Sequence, residues 1–304
     1  EKALIDSVLF KKISFSETEN KIISQDPKTY VISNRTKTSL NVLEHLIEMV
    51  AKEYPEANVS VSLLNNFFEC PRKWYFRNLL KLPETKSRSL EFGNLVHSAI
   101  DKILKSNKVP TEKEIEKIVE NDQEASAIVS RWVKNRLSEI SQSRKNEQSV
   151  SVRDERFPHL NIYGKIDLIE KIPARPGGNK NSVRVTDFKT GNVRKKSEIE
   201  KTDEEGRMSD YLRQLAMYSY LIKQNSKWKS EVSESRLEFL EAKNEKEIFY
   251  DTFITEKQID LLIKDIKDYD NLVKTGEWLN RPCRFNSYGK NTECEYCRMA
   301  EIYK

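Results

Sequence analysis

The spacing of apolar positions changes part-way along the chain, from a helical repeat in the first half to strict alternation in the second. Leu43, Leu46, Ile47 and Val50 recur at helical spacing in a segment starting near Ser39, with Pro55 beyond its end. Ser62 is placed to cap LLNNFFE, and Cys70-Pro71 restarts the chain into RKWYFRNLL with proline in a first helical turn. In EFGNLVHSAIDKILK, Phe92, Val96, Ile100 and Ile103 make one stripe, while Gly93, His97 and Asp101 make an adjacent strip at steps of four. Helical patterns follow near 112–120 and 124–140, the second carrying Ile128, Trp132, Val133, Leu137 and Ile140. The polar run SQSRKNEQ then reads as a break before a strand-rich half.

VSVRDERF, LNIYGKIDLIE and SVRVTDFKTG alternate in strand fashion, and ARPGGNKN is a turn between the last two. These three segments predict one sheet. YLRQLAMYSYLI is a helix, SRLEFLEAKNEKEIFYDTFI predicts a hairpin around Lys243 to Glu245, and Thr255 with Gln258 forms a capping box for a helix ending near Thr275. Ahead of all this, residues 1 to 58 read as a leader with strand-like pieces, KIIS and TYVIS, around an Asp26-Pro27 turn and then one amphipathic helix.

Composition narrows the function classes. With 37% hydrophobic and 33% charged residues in 304, the chain reads as a folded protein with a heavily charged surface. No apolar run is long enough to span a bilayer, which predicts no membrane partner. EKALIDSVLFKK lacks the features of a secretory signal and an initiator Met, so a fragment of a longer polypeptide is expected. There is no GxxxxGK[ST] phosphate loop, and any ATP motor must lie elsewhere. The net charge of +5 suits a polyanionic partner without predicting one. Four cysteines are too few to staple a chain of this size, so a reducing cytoplasm and a metal site are expected.

The chemistry concentrates in RVTDFKTGN. Residues two apart in a strand share a face, so Asp187 and Lys189 project together while Phe188 points into packing. A second acid, Asp167, interrupts an apolar run on the face opposite Ile162, Ile166 and Leu168. Two adjacent acids would form a hard-oxygen pocket suited to Mg2+ or Mn2+, and a neighbouring ammonium can hold a water or offset charge growing on a phosphate. The chemistry implied is phosphodiester hydrolysis. An Asp-x-Lys triplet alone is common by chance; the preceding Gly-x-x-Asp on a neighbouring predicted strand is what raises its weight.

Four pieces in order, FGNLVHSAI, GKID, DFKTG and QLAMY, resemble the PD-(D/E)XK nuclease superfamily, in particular the RecB-like branch that includes AddB and the CRISPR-associated exonucleases. The likeness runs from about Ser60 to the end. It implies an α/β, restriction-endonuclease-like core: a central mixed sheet flanked by helices within residues 59–304. Residues 59–148 would be the helical part, 149–275 the catalytic sheet and helices, and 276–304 a cysteine-bearing tail. The resemblance also implies that Asp167, Asp187 and His97 ligate the metal, that Lys189 is the catalytic lysine, and that Gln214 and Tyr218, one helical turn apart, face the active site or the DNA backbone. Read by themselves, Gln214 fits a solvated helix position and Tyr218 a core edge equally well. His45 and His159 read as ordinary polar positions, and Glu155 either assists the metal or pairs with a nearby arginine, the pairing being favoured.

Cys70 with Cys283, Cys294 and Cys297 resembles the iron-sulfur clasp of the same branch. A [4Fe-4S] cluster is preferred to Zn2+, and four reduced thiols without metal are the remaining alternative. The related clasps place a cysteine after the CxxC pair, whereas here Cys283 precedes it. PRKWYFRNLLK interleaves Arg72, Lys73 and Arg77 with aromatics; packing is expected for the aromatics and a modest DNA role for the basic residues. Arg194, Lys195 and Lys196 follow the DFKTGN turn and either guide a strand inward or form a solvated loop. The resemblance favours DNA with single-stranded ends or unwound strands, and a helicase domain or subunit as partner. An idle DNA-end-binding module and a CRISPR-adaptation exonuclease are the competing expectations.

Overall fold

The computed structural model describes residues 44–83, 87–173, 182–228, 230–287, 290–291 and 294–302. Leu43, the strand-like pieces before it and the ARPGGNKN turn lie outside these residues. The chain divides into two units, Glu1–Leu46 and Ile47–Lys304, and the architecture that follows belongs to the second.

Within it, residues 47–53 continue the expected amphipathic helix, with Val50 buried. The next helix, α1 (Val61–Glu69), is capped by Ser60 rather than Ser62: Ser60 is extended, and its Oγ accepts a hydrogen bond from the Leu63 N–H at 3.2 Å. Ser62 is already helical and lies within 3.0 Å of the Ser60 hydroxyl. Cys70, extended at φ −157°, ends α1, and Pro71 opens the short α2 (Pro71–Trp74), which runs into a π-turn over Tyr75–Leu79. Three helices follow, α3 (Arg88–Ser106), α4 (Glu112–Ile118) and α5 (Gln123–Arg136), with Ser87, Thr111 and Asp122 as caps. Their apolar stripes close on one another and on Leu168, Phe188 and Leu240 of the sheet side, with Ile100, Ile103, Val129 and Trp132 buried between them.

The sheet has six strands: β1 (Asn58–Val59), β2 (Arg144–Val152), β3 (Asn161–Lys171), β4 (Ser182–Lys189), β5 (Glu231–Phe239) and β6 (Phe249–Thr252). β3 carries β2 along one edge and β4 on the other, with the short β1 beside its start. The order continues to β5 and β6. Only β1/β3 and β4/β5 are parallel, so the sheet is mixed. The predicted polar break is wrong here: Arg144 to Gln148 are not a linker but the first half of β2, paired with β3 from Arg144↔Glu170 onward. VSVRDERF, conversely, is strand only as far as Val152 and then turns. β2 pairs along one side only and buries little beyond Val150, so no apolar alternation marks its first half.

The other face of the sheet is covered by α6 (Asp210–Gln224), which packs on β3, β4 and β5, and behind it lie α7 (Glu256–Thr275) and α1. Gly164 makes this closure possible. A Cβ there would stand 2.7 Å from the Leu221 side chain and 3.5 Å from the Tyr218 ring, so the glycine of GKID is a close-approach glycine. Edge-to-face contacts join Phe67, Trp74, Tyr269 and Trp278 across α1, α2, α7 and the turn beyond it. Thr255 and Gln258 form the predicted capping box of α7, and β5–β6 the predicted antiparallel hairpin.

Candidate active site

The β3–β4 ladder stops at Leu168↔Thr186. One residue further, where Asp167 stands opposite Asp187, the backbone pairing gives way to a side chain: Asp167 Oδ2 accepts a hydrogen bond from the Phe188 N–H at 2.8 Å. The strand that would otherwise lose this donor keeps it satisfied, and the two carboxylates are turned to the same face. Phe188 points to the opposite side, into the α3 and α5 layer, with Trp132 edge-on to it.

α3 lays His97 over this point, its Nδ1 3.5 Å from Asp167 Oδ1. The helix comes close because residue 93 is glycine: a Cβ there would meet the Thr190 hydroxyl at 3.0 Å. The two glycines of the sequence motifs therefore serve one purpose, bringing a helix down on each side of the acid strands.

Asp187, Lys189, Gln214 and Tyr218 make a closed hydrogen-bonded ring. Lys189 Nζ donates to Gln214 Oε1 at 2.6 Å, and Gln214 Nε2 donates to Asp187 Oδ1 at 2.6 Å and to the Tyr218 hydroxyl at 2.9 Å. The single Tyr218 proton is shared between the Lys165 carbonyl at 2.7 Å and Asp187 Oδ1 at 3.1 Å. Asp187 Oδ2 is enclosed and has no aligned hydrogen-bond donor; it faces the Lys189 ammonium as an ion pair at 2.7 Å. Lys189 also lies 4.9 Å from the centre of the Tyr211 ring.

The titration of these groups follows their burial and charge. Burial raises Asp167, and the neighbouring Asp187 charge adds to it, against the lowering by His97 and the Phe188 N–H. Burial works against a charged Lys189, but Asp187 and Asp167 outweigh it and hold the ammonium above its ordinary range. His97 behaves alike: burial lowers it, and Asp167, then Asp187 and Glu147, outweigh that and raise it. Tyr218 is pushed well up, by burial first and the two aspartates next, and stays a neutral donor.

One further side chain enters the pocket. Glu147 of β2, Asp167 and His97 each bring a ligand atom within 4.8 Å of the others. It lies inside the polar run that reads as a linker, and nothing in the local sequence distinguishes it. One imidazole nitrogen and two carboxylate oxygens within 4.8 Å of one another are a donor set that fits a hard divalent cation. Glu155 is elsewhere, on the exposed turn after β2, and among the described residues the favoured arginine pairing does not form: Arg156 pairs with Asp154 instead. His159 is half-buried and bonds Asp270.

The four cysteines converge. Their sulfurs all lie within 4.8 Å of one another, with Cys70 Sγ 3.5 Å from both Cys294 and Cys297. Burial holds the Cys70 thiol far above its ordinary value and pushes Cys294 up to about 11, whereas Cys283, despite burial, is lowered by backbone N–H groups of Cys294 and Phe285. Arg72 donates to Cys297 Sγ at 3.5 Å, so this residue of the expected DNA stripe is turned to the clasp. Lys73 pairs with Glu69 within α1–α2, Trp74 is fully buried and Phe76 packs against the cysteines. Arg77 lies half-buried in the π-turn. Arg194, Lys195 and Lys196 are exposed at the start of a single helical turn, where Arg194 and Lys196 make loose i,i+4 pairs with Glu198 and Glu200. Among the described residues no helix is long and apolar enough to cross a membrane.

Solved structures with a similar arrangement include a protein from Eubacterium rectale described as a candidate exonuclease, 17% identical with a TM-score of 0.47, covering 82% of this chain and 95% of its own. Another is SSO0001, 15% identical with a TM-score of 0.29, covering 79% and 93%. No curated protein matches. The mixed six-stranded sheet flanked by helices is the restriction-endonuclease-like core that the sequence motifs imply. The family model of the PD-(D/E)XK nuclease superfamily matches residues 58–302, most of the length, and the chain belongs to that superfamily.

Proposed function

We propose that this chain is a metal-dependent deoxyribonuclease that hydrolyses phosphodiester bonds at the Asp167–Asp187–Lys189 site. The observation that carries this reading is the end of the β3–β4 ladder, where two carboxylates face the same side with a buried ammonium 2.7 Å from one of them. Asp167, Asp187 and His97 are the residues to hold Mg2+ or Mn2+. An ion held there would supply Lewis-acid chemistry to a phosphoryl oxygen and would lower the pKa of water, making hydroxide available near neutral pH.

The remaining work belongs to the protein's own groups. Lys189 is held charged by Asp187 and Asp167, so it serves as a donor to charge growing on the phosphate and not as a base. Gln214 and Tyr218 keep that ammonium and Asp187 in register. The exposed Arg194, Lys195 and Lys196 offer phosphate contacts beside the DFKTGN turn. The RecB/AddB-like order of the motifs supports single-stranded ends or unwound strands as substrate, recombination or repair as setting, and a helicase domain or subunit as partner. A complete Asp-Asp-Lys set speaks against an idle end-binding module.

The clasp ties the C-terminal segment to the α1–α2 junction, and its sulfur spacing bears on what it holds. Zn–S bonds of about 2.3 Å put tetrahedral sulfurs about 3.8 Å apart, whereas a cubane interposes its own irons and sulfides and needs a wider set. Sulfur separations of 3.5 Å, all within 4.8 Å, support one Zn2+ over the [4Fe-4S] cluster that the resemblance implies.

The deciding experiment incubates labelled single-stranded and duplex DNA with Mg2+ or Mn2+. Cleavage by the native chain and its loss in Lys189→Ala are expected. No cleavage, or equal cleavage by the variant, removes the assignment.

A further inference from the structure

We propose that Glu147 is an additional ligand of the cation held by Asp167 and His97, and that the Lys165 ammonium competes with that cation for its carboxylate. The inference rests on the nuclease reading and deepens it.

Three elements bring the donors together. In the β2–β3 ladder, Asn146↔Leu168 and Gln148↔Ile166 bracket Glu147 and set it opposite Asp167. Glu147 itself is not a paired position and has φ +52°, outside the strand region. Its carboxylate lies with Asp167 and His97 in a set whose ligand atoms are all within 4.8 Å, and its side chain is 17% exposed. Donors on an octahedral ion with arms of about 2.1 Å stand about 3.0 Å apart when adjacent and about 4.2 Å when opposite. The His97–Asp167 separation of 3.5 Å and the limit on the set lie close to this range.

Asp187 adds a third carboxylate beside this set, faced at its Oδ2 by the Lys189 ammonium at 2.7 Å. It is 96% enclosed at its side chain, next to Asp167 on the neighbouring strand, and its Oδ2 lacks an aligned donor. The pocket thus gathers three carboxylates. Lys165 partners Glu147 through an ion pair, yet its own side chain is 56% exposed and can swing into water at little cost. A dication between Glu147 and Asp167 replaces a single, half-solvated ammonium with a charge both carboxylates share.

Mn2+ titration followed by electron paramagnetic resonance, on the full chain without DNA, reads occupancy directly and needs no turnover. Glu147→Gln should weaken Mn2+ by about 10-fold or more. Lys165→Met removes the same ion pair but leaves the carboxylate, so it should tighten Mn2+ several-fold. Asp167→Asn should abolish binding. Unchanged affinity in Glu147→Gln, with loss in Asp167→Asn, overturns the role of Glu147 and leaves the nuclease site standing. Unchanged or weaker affinity in Lys165→Met overturns the competition, and this arm decides alone should Glu147→Gln not fold. Full binding by Asp167→Asn removes the cation pocket and the nuclease reading together.

Discussion

Gln214 Oε1 accepts a hydrogen bond from Lys189 Nζ at 2.6 Å, and this one contact fixes which way the Gln214 amide faces. With the carbonyl taken by the ammonium, the amide nitrogen must turn to Asp187 and Tyr218, and both are within 2.9 Å. The glutamine therefore positions an acid and a lysine whose strand already sets them on one face. Gln214→Ala takes away the second anchor of Lys189 and leaves its ammonium held by Asp187 alone. Cleavage of single-stranded DNA should fall about 10²-fold, a loss in the range of one misplaced charge-stabilising donor, while Mn2+ affinity changes little. Equal losses of both would make the residue a ligand support instead.

Lys189→Ala removes the donor itself. Single-turnover cleavage should drop by about 10²- to 10³-fold at saturating Mn2+, and the pH profile should keep its shape, because an ammonium held charged does not titrate in the working range. A profile that loses a limb in the variant would show Lys189 acting as a base.

Gly164→Ala pushes a methyl toward Leu221 at 2.7 Å, beneath a helix that carries Gln214 and Tyr218. Overpacking of this kind costs about 1–3 kcal/mol, readable as a lower urea midpoint at unchanged slope. The displaced α6 should also lower cleavage more than stability alone explains. A variant as stable and as active as the native chain would show that the helix has room to spare.

Much of this site is legible in the sequence because its geometry is local. Asp187 and Lys189 are two apart in a strand, Gln214 and Tyr218 four apart in a helix, and both periods force a shared face. The cysteines are legible by count and clustering. Glu147 is not: β2 pairs with β3 alone and has Val150 as its one buried residue, so its half-buried polar residues alternate with nothing apolar and read as a linker. The cap of α1 fails for a related reason, since Ser60 and Ser62 are both plausible until the extended backbone of Ser60 selects one. Tyr211 under Lys189 is a tertiary neighbour with no local signal.

Asp270 receives Tyr54 Oη at 2.6 Å, His159 at 2.7 Å and Lys274 at 2.8 Å. Burial raises its proton affinity, but Lys274, Tyr54 and His159 outweigh that and hold it below the ordinary aspartate value. A depressed carboxylate contributes stability that is fully present above the unfolded value of about 3.9 and lost as pH falls through the folded one. Asp270→Asn should therefore melt lower than the native chain at pH 7, with the gap closing below about pH 4. A gap that stays constant down to pH 2 would locate the effect in packing.

Metal removal tests the clasp by a different route from catalysis. Cys70 converges with the three C-terminal cysteines across most of the domain, and Arg284 N–H bonds to the Glu69 carbonyl at 2.7 Å, so an ion bound by the four sulfurs would hold the two ends together at α1. A ligand at about 1,000 times its dissociation constant stabilises by about 4 kcal/mol, and at this chain length that corresponds to a shift of roughly 10 °C. A zinc-selective chelator should lower the melting temperature by about that amount, and Cys70→Ser should start low and respond no further. Elemental analysis of anaerobically purified protein should give one zinc per chain. Four irons with visible absorption would reinstate the iron-sulfur cluster, and a melting temperature indifferent to both chelator and substitution would reduce the clasp to four packed thiols.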